Sequence, residues 1–228
     1  MRITIVGKDS YVVRYYKNIL KKFGFIYSHK NPDVVISLGG DGTLLLSERW
    51  YPGIPKLPIR DKSICYNCDW DSLHSIIQKI KARRYRIERK IKLQAIAKKR
   101  KMLCLNEFTL RNASQIHAIR FTVNVGGKKI DDILIGDGVV VSTPFGSTGY
   151  YYSVTKKKFS KGIGIAFNNL TKKMDHMALN ENVRVRIKII RGVGFLSYDN
   201  DPNMVRVHEG DVVEIRKAKE HAQIIKIG

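Results

Sequence analysis

The chain has 228 residues, 43% of them hydrophobic and 27% charged, the balance of an ordinary globular protein rather than a fibrous or disordered one. That length allows one large domain or two small ones with a buried core, and no run approaches the about 20 apolar residues of a membrane span. The formal charge is +22, from 42 Lys and Arg against 20 Asp and Glu.

The three cysteines are few and odd in number, as expected for a reducing compartment. The opening Met1–Gly7 reads as a strand that Lys8 and Asp9 interrupt too early for a signal peptide, so a cytoplasmic protein is expected. Between Lys79 and Lys101 the only acid is Glu88. Such a field attracts anions of every kind, and a solvated basic surface accounts for it equally well. No helix-turn-helix, zinc-finger or RNA-recognition signature is present, so no nucleic-acid partner is expected.

Residues 2–6 form the first expected strand. Val12, Val13, Tyr16, Ile19, Leu20 and Phe23 follow at helical spacing, with Asp9 or Ser10 to cap the start and Gly24 to end it. Asp33–Leu38 is a short apolar strand, and Thr43–Trp50 opens a helix. A strand near Ile64–Tyr66 and a helix from about Asp71 to Arg83 complete an alternation that predicts a parallel sheet in an α/β layer. Beyond about Arg86 the texture changes to β-branched runs at 91–97, 102–110, 117–125, 133–142, 184–190 and 204–216. Turn signals such as Gly126-Gly127, Asp199-Asn200-Asp201-Pro202 and Glu209-Gly210-Asp211 separate them. The expectation is an α/β domain over 1–85 and an all-β, sandwich-like domain over 86–228.

The most informative segment is Gly39-Gly40-Asp41-Gly42-Thr43, between a strand and a helix. Glycines let phosphate oxygens approach the backbone, and a helix N-terminus near Thr43 adds unpaired N–H donors. An acid in such a loop would repel phosphate, so Asp41 is better suited as a base for an attacking hydroxyl or as a support for Mg²⁺. The segment fits neither the Gly-Lys-Ser/Thr pattern of P-loops nor the Gly-x-Gly-x-x-Gly dinucleotide fingerprint. It resembles the signature of a kinase superfamily that includes NAD kinases, diacylglycerol and sphingosine kinases and, more distantly, phosphofructokinases.

Two further segments narrow the field. Asn106-Glu107 stands at the head of a strand. Asp137–Ser142 is a strand leading into Thr143-Pro144-Phe145-Gly146-Ser147-Thr148-Gly149-Tyr150, a loop with hydroxyls for hydrogen bonding and a tyrosine as a flat surface for a base. In this order and spacing, the three segments resemble the NAD kinase family. The resemblance implies an α/β nucleotide domain plus a β-sandwich, and phosphoryl transfer from ATP or inorganic polyphosphate to the 2′-hydroxyl of NAD, with Mg²⁺ or another divalent cation accompanying the donor. It makes Asp41 the base and sets Gly39, Gly40, Gly42 and Thr43 beside phosphates. Asn106 and Glu107 would hold NAD hydroxyls, and Ser147, Thr148, Gly149, Tyr150 and Ser153 would receive the adenine end. Asp137 would meet the nicotinamide end, in a homodimer or homotetramer. No residue is assigned to a protein-held metal site.

This chain departs from the family pattern in several places. Gly149 replaces an alanine, Tyr151 stands where asparagine is common, and Val154–Lys158 and Ile59–Ile64 replace glycine-bearing stretches. Cys65-Tyr66-Asn67-Cys68 has zinc-ligand spacing but lacks a second pair, so a redox pair or buried thiols suit it better. His117, His176 and His208 read as core or surface residues, and Ser142 and Ser147 lack the Gly-x-Ser-x-Gly elbow of a hydrolase. Three rivals stand beside the kinase: a lipid kinase with an apolar membrane-facing surface, a non-catalytic nucleotide or nucleic-acid binder, and the reverse reaction, dephosphorylation of NADP.

Overall fold

A computed structural model describes residues 1–59 and 73–227. The expected strand near Ile64–Tyr66, the Cys65/Cys68 pair and the first two residues of the helix expected from Asp71 lie outside them. The chain divides into two compact units, one of residues 1–90 and 221–228, the other of residues 91–220.

The first unit is an α/β layer. Strands β1 (Arg2–Gly7), β2 (Ile26–Tyr27), β3 (Val34–Leu38) and β4 (Lys56–Ile59) alternate with helices α1 (Ser10–Lys22), α2 (Asp41–Trp50) and α3 (Leu73–Lys81). These four strands pair in parallel, in the order β2-β1-β3-β4. The strand β3 is buried along its whole length, as a parallel strand covered on both faces must be. Asp9 caps α1, its Oδ1 accepting from the N–H groups of Tyr11 (2.8 Å) and Val12 (3.2 Å). Gly24, at φ 81°, ends that helix in the left-handed region that glycine enters without strain. Leu20, Ile77 and Ile80 join Ile3, Ile36 and Leu57 in one apolar core.

The second unit is β-rich, and its strand pairs with recorded register are antiparallel. Its strands begin with β5 (Tyr85–Ala97), β6 (Arg100–Cys104), β7 (Glu107–Asn112), β8 (Ile119–Val125), β9 (Lys128–Lys129) and β10 (Leu134–Ser142). They continue with β11 (Ile163–Leu170), β12 (Met177–Leu179), β13 (Val185–Arg191), β14 (Gly194–Tyr198), β15 (Val205–Val207) and β16 (Val212–Ile227). Alternation of buried and exposed residues along β13 places Val185, Ile187 and Ile189 in a core with Phe108, Phe121 and Val139. Residues 221–227 at the end of β16 belong to the first unit, where Ile224 pairs in parallel with Lys56 on the edge of its sheet. Among the described residues no helix is long and apolar enough to cross a membrane.

Several elements differ from the sequence-based expectation, three of them at the motifs. The run 102–110 is two strands, because Leu105 and Asn106 give their N–H groups to the Asp199 carboxylate instead of to a neighbouring strand. The Gly146–Tyr150 loop is a 3-10 turn over Gly146–Thr148 followed by a short helix, α4 (Tyr150–Thr155). The second helix begins at Asp41, two residues earlier than its apolar pattern indicates, because Gly39 turns the chain sharply at φ 142°.

Candidate active site

In the first unit the Gly39–Thr43 segment joins the end of β3 to α2. Gly39 donates its N–H to the Ile59 carbonyl at 2.8 Å. A Cβ on Gly39 would stand 2.6 Å from Thr43 Oγ1 and would need a backbone conformation that L residues rarely adopt, so only glycine serves. Thr43 is buried against this turn, while Gly40 occupies the N-cap and Asp41 opens the helix, exposed to solvent. A glycine N-cap has no side chain to cover the first-turn N–H groups, the arrangement by which helix N-termini receive anions. The helix is pinned from behind: Ser37 Oγ donates to Ser47 Oγ (2.7 Å), which donates to the Thr43 carbonyl (2.8 Å). A buried ion pair between Lys56 and Glu48 fastens its far end to β4. Asp41 is therefore a carboxylate on a fixed mount, at the positive end of the helix dipole.

In the second unit the structure brings Asn106 and Glu107 against the Gly146–Gly149 turn. A Cβ on Gly146 would lie 2.4 Å from the Asn106 carbonyl oxygen, so backbone meets backbone there and no side chain fits. Thr143 locks the approach: its N–H donates to the Asn106 carbonyl (2.8 Å) and its hydroxyl to the Leu105 carbonyl (2.6 Å). The Asn106 Nδ2 and Glu107 Oε2 atoms each lie 3.6 Å from where a Gly149 Cβ would be. Glu107 is 9% exposed, and both Asn106 Oδ1 and Glu107 Oε2 are buried without a hydrogen-bond partner. Unsatisfied buried oxygens cost on the order of 1–3 kcal/mol each, which a ligand's hydroxyls would recover. Burial, and secondarily the nearby Asp199 carboxylate, raise the Glu107 pKa to about 8. At neutral pH Glu107 is thus largely a neutral carboxyl that can donate as well as accept.

The other expected residues are distributed unevenly. Thr148 and Gly149 are exposed and Tyr150 is half-buried, all on the turn and the start of α4. Ser153, also exposed, gives its hydroxyl to the Tyr150 carbonyl at 2.7 Å. Ser147 is buried, with its hydroxyl within 2.8 Å of the Pro144 carbonyl and 3.2 Å of that of Phe159. Asp137 stands apart, near the other end of β10, where it accepts from Asn112 Nδ2 (3.3 Å) and Asn169 Nδ2 (3.1 Å). It lies five positions before Ser142 along the strand, on the order of 17 Å.

A model of the ATP-NAD kinase C-terminal domain matches residues 105–227, more than half of the chain. The chain belongs to the ATP-NAD kinase family. It is 31% identical to the NAD kinase of Sulfurisphaera tokodaii over 163 residues, 68% of this chain and 63% of that protein. It is 26% identical to the bifunctional NADP phosphatase/NAD kinase of Methanococcus maripaludis, over 96% of this chain and 41% of that protein. The chain thus spans less than two thirds of the length of these relatives. In fold it is similar to yeast NADH kinase complexed with NADH, with a TM-score of 0.87 and 16% identity over 99% of this chain and 83% of the other. It is also similar to the NAD kinase of Archaeoglobus fulgidus in complex with ATP, with a TM-score of 0.79 and 18% identity over 100% and 94%.

Seen against the family pattern, the departure at Tyr151 moves inward. Its ring is 1% exposed, packs edge-on to Phe159 at 5.0 Å between centroids, and its hydroxyl meets His176 Nδ1 at 2.9 Å. Gly164 makes room for the pair, since a Cβ there would lie 2.3 Å from the Phe159 ring and 2.8 Å from that of Tyr151. The residue that sequence reasoning passed over is Asp199, read only as part of a turn signal. Its available mark was chemical: an acid in a turn is one of the few residues that tolerates the left-handed backbone, and φ at Asp199 is 47°.

Proposed function

We propose that this chain is an NAD kinase that transfers a phosphoryl group from ATP or inorganic polyphosphate to the 2′-hydroxyl of the adenosine ribose of NAD, giving NADP. The observation that carries the reading is the pair of buried, unpartnered oxygens on Asn106 and Glu107 beside the Gly149 turn, in a chain of this family. Hydroxyl groups of a ribose are donors and acceptors of the kind this pair requires. Asp41 takes the proton from the attacking hydroxyl as the oxygen–phosphorus bond forms and the bond from phosphorus to the leaving oxygen breaks. Gly39, Gly40, Gly42 and Thr43 border phosphates, Thr148–Ser153 receive the adenine end, and Asp137 serves the nicotinamide end in a homodimer or homotetramer.

Among the described residues no three His, Cys, Asp or Glu side chains gather to hold a metal ion. A divalent cation that entered with the donor would take its ligands from the donor's phosphates and water, which suits Mg²⁺, while Asp41 serves the attacking hydroxyl. Bound there, it would neutralise charge on the transferred group.

The test is incubation with NAD, Mg²⁺ and either ATP or polyphosphate, followed by assay for NADP. Product with at least one donor is expected, and its absence with both overturns the reading. Asp41→Asn should lower turnover by about 10²–10⁴-fold while NAD binding stays near wild type. Near-wild-type turnover in that variant would remove Asp41 from the role of base.

A further inference from the structure

The stretch Leu105-Asn106-Glu107 lies between β6 and β7, where the sheet ladder is interrupted. Something other than strand pairing must therefore fix the backbone from which Asn106 and Glu107 project. On one side it is Thr143, which takes the carbonyls of Leu105 and Asn106. On the other it is Asp199, in the turn after β14. Its Oδ2 accepts from Leu105 N–H at 2.9 Å and its Oδ1 from Asn106 N–H at 2.7 Å, while its own N–H donates to the Glu107 carbonyl at 3.2 Å. Asp199 does this from a left-handed backbone, φ 47°, that few L residues adopt. One residue thus binds three consecutive residues that lie more than 90 positions away in the chain.

We propose that Asp199 is the positioning residue of this site: its carboxylate clamps the Leu105–Glu107 backbone so that the orphaned side-chain oxygens of Asn106 and Glu107 stand together for neighbouring hydroxyls of a ribose. The ligand in this statement rests on the NAD kinase reading; the clamp does not. A carboxylate suits the position because it can accept two N–H groups at once, whereas an amide would turn an NH₂ toward one of them.

The same geometry couples Asp199 to the protonation of its neighbours. The titratable groups beside Glu107 are Asp199 and Cys104 at the end of β6, and the Lys92 ammonium on β5 acts on both of these in turn. Burial lifts the Asp199 pKa to about 6, and its hydrogen bonds from Leu105 and Asn106 oppose the rise. With Glu107 at about 8, the neutral range finds Asp199 mostly ionised and Glu107 mostly neutral. The buried Cys104 thiol, raised by burial and by both carboxylates, stays protonated throughout. Asn106 Oδ1 then offers an acceptor and Glu107 a donor.

Asp199→Asn tests this, because asparagine keeps the size and tolerates the left-handed turn. The Michaelis constant for NAD should rise about tenfold or more with a smaller change in kcat, as expected for loss of placement rather than of chemistry. The alkaline fall in kcat/KM should move to lower pH, since Glu107 loses the neighbouring charge that helps keep it protonated. An unchanged Michaelis constant with an unmoved pH profile would overturn the proposal, even if stability fell. Carboxyl NMR titration of the wild-type chain supplies a readout independent of turnover and of how the variant folds. The amide signals of Leu105 and Asn106 should follow the titration of Asp199 near pH 6, and amides that ignore it would refute the clamp. If the wild-type chain forms no NADP with either donor, the functional reading fails while the NMR titration still decides the clamp.

Discussion

Glu107→Gln isolates the buried carboxyl at the centre of the site and gives a stability effect whose sign is fixed. The folded-state pKa of Glu107 is about 8, against 4.5 for an ordinary glutamate, with burial the larger cause and Asp199 the second. A carboxyl raised in this way contributes stability that is fully present below the unfolded pKa and is lost as pH rises through the folded one. Between pH 5.5 and 7.5 the unfolded chain has already shed this proton while the folded chain largely keeps it. At 1.36 kcal/mol per pH unit, this window of roughly two units makes the wild-type chain lose about 2–3 kcal/mol through Glu107 alone. Asp199, raised to about 6, adds a smaller fall of the same sign at the acid end of the window. Glutamine does not titrate, so the variant should show only the smaller fall. Urea denaturation of both proteins at several pH values across the window measures the difference directly. If the variant loses as much stability as the wild type, Glu107 is not a buried neutral carboxyl and the account of the site is wrong.

Gly149→Ala restores the family's residue and should be tolerated: φ is −92° and the closest contact of the new Cβ is 3.3 Å, to the Gly146 carbonyl. Stability is expected to stay within about 1 kcal/mol of wild type, and the Michaelis constant for NAD within a few-fold, by thermal denaturation and steady-state kinetics. Tyr151→Phe removes only the hydroxyl bond to His176 and should cost about 1 kcal/mol. Tyr151→Asn, the commoner family residue, empties the space against Phe159 and should cost about 3–5 kcal/mol; equal costs in the two variants would show that the ring does not serve as core.

The parts of this protein that were legible in the sequence are those governed by local rules. The α1 pattern and its Gly24 stop appear as expected, and of the two candidate caps the structure uses Asp9, because helix periodicity and capping depend on neighbours a few residues away. The Gly39–Thr43 turn was legible for the same reason, since glycine at φ 142° is a local requirement. Periodicity was a poorer guide beyond Arg86. The strands β9, β11, β12 and β14 lie outside the expected runs, the run 204–216 covers two strands, and the continuous run 102–110 conceals the break at Leu105–Asn106.

The amino-acid sequence alone thus determined the two textures of the chain, its kinase motifs and the position of its candidate base. Only the tertiary structure decided which oxygens are left without partners, that Tyr151 turns into the core, and that the end of β16 pairs with β4. It also decided that Asp199 holds a segment more than 90 residues earlier in the chain. The physical reason is that burial and hydrogen-bond satisfaction belong to three-dimensional neighbourhoods. A side chain's charge state and purpose follow from what surrounds it, and for Glu107 those surroundings include Cys104, the Gly149 turn and Asp199.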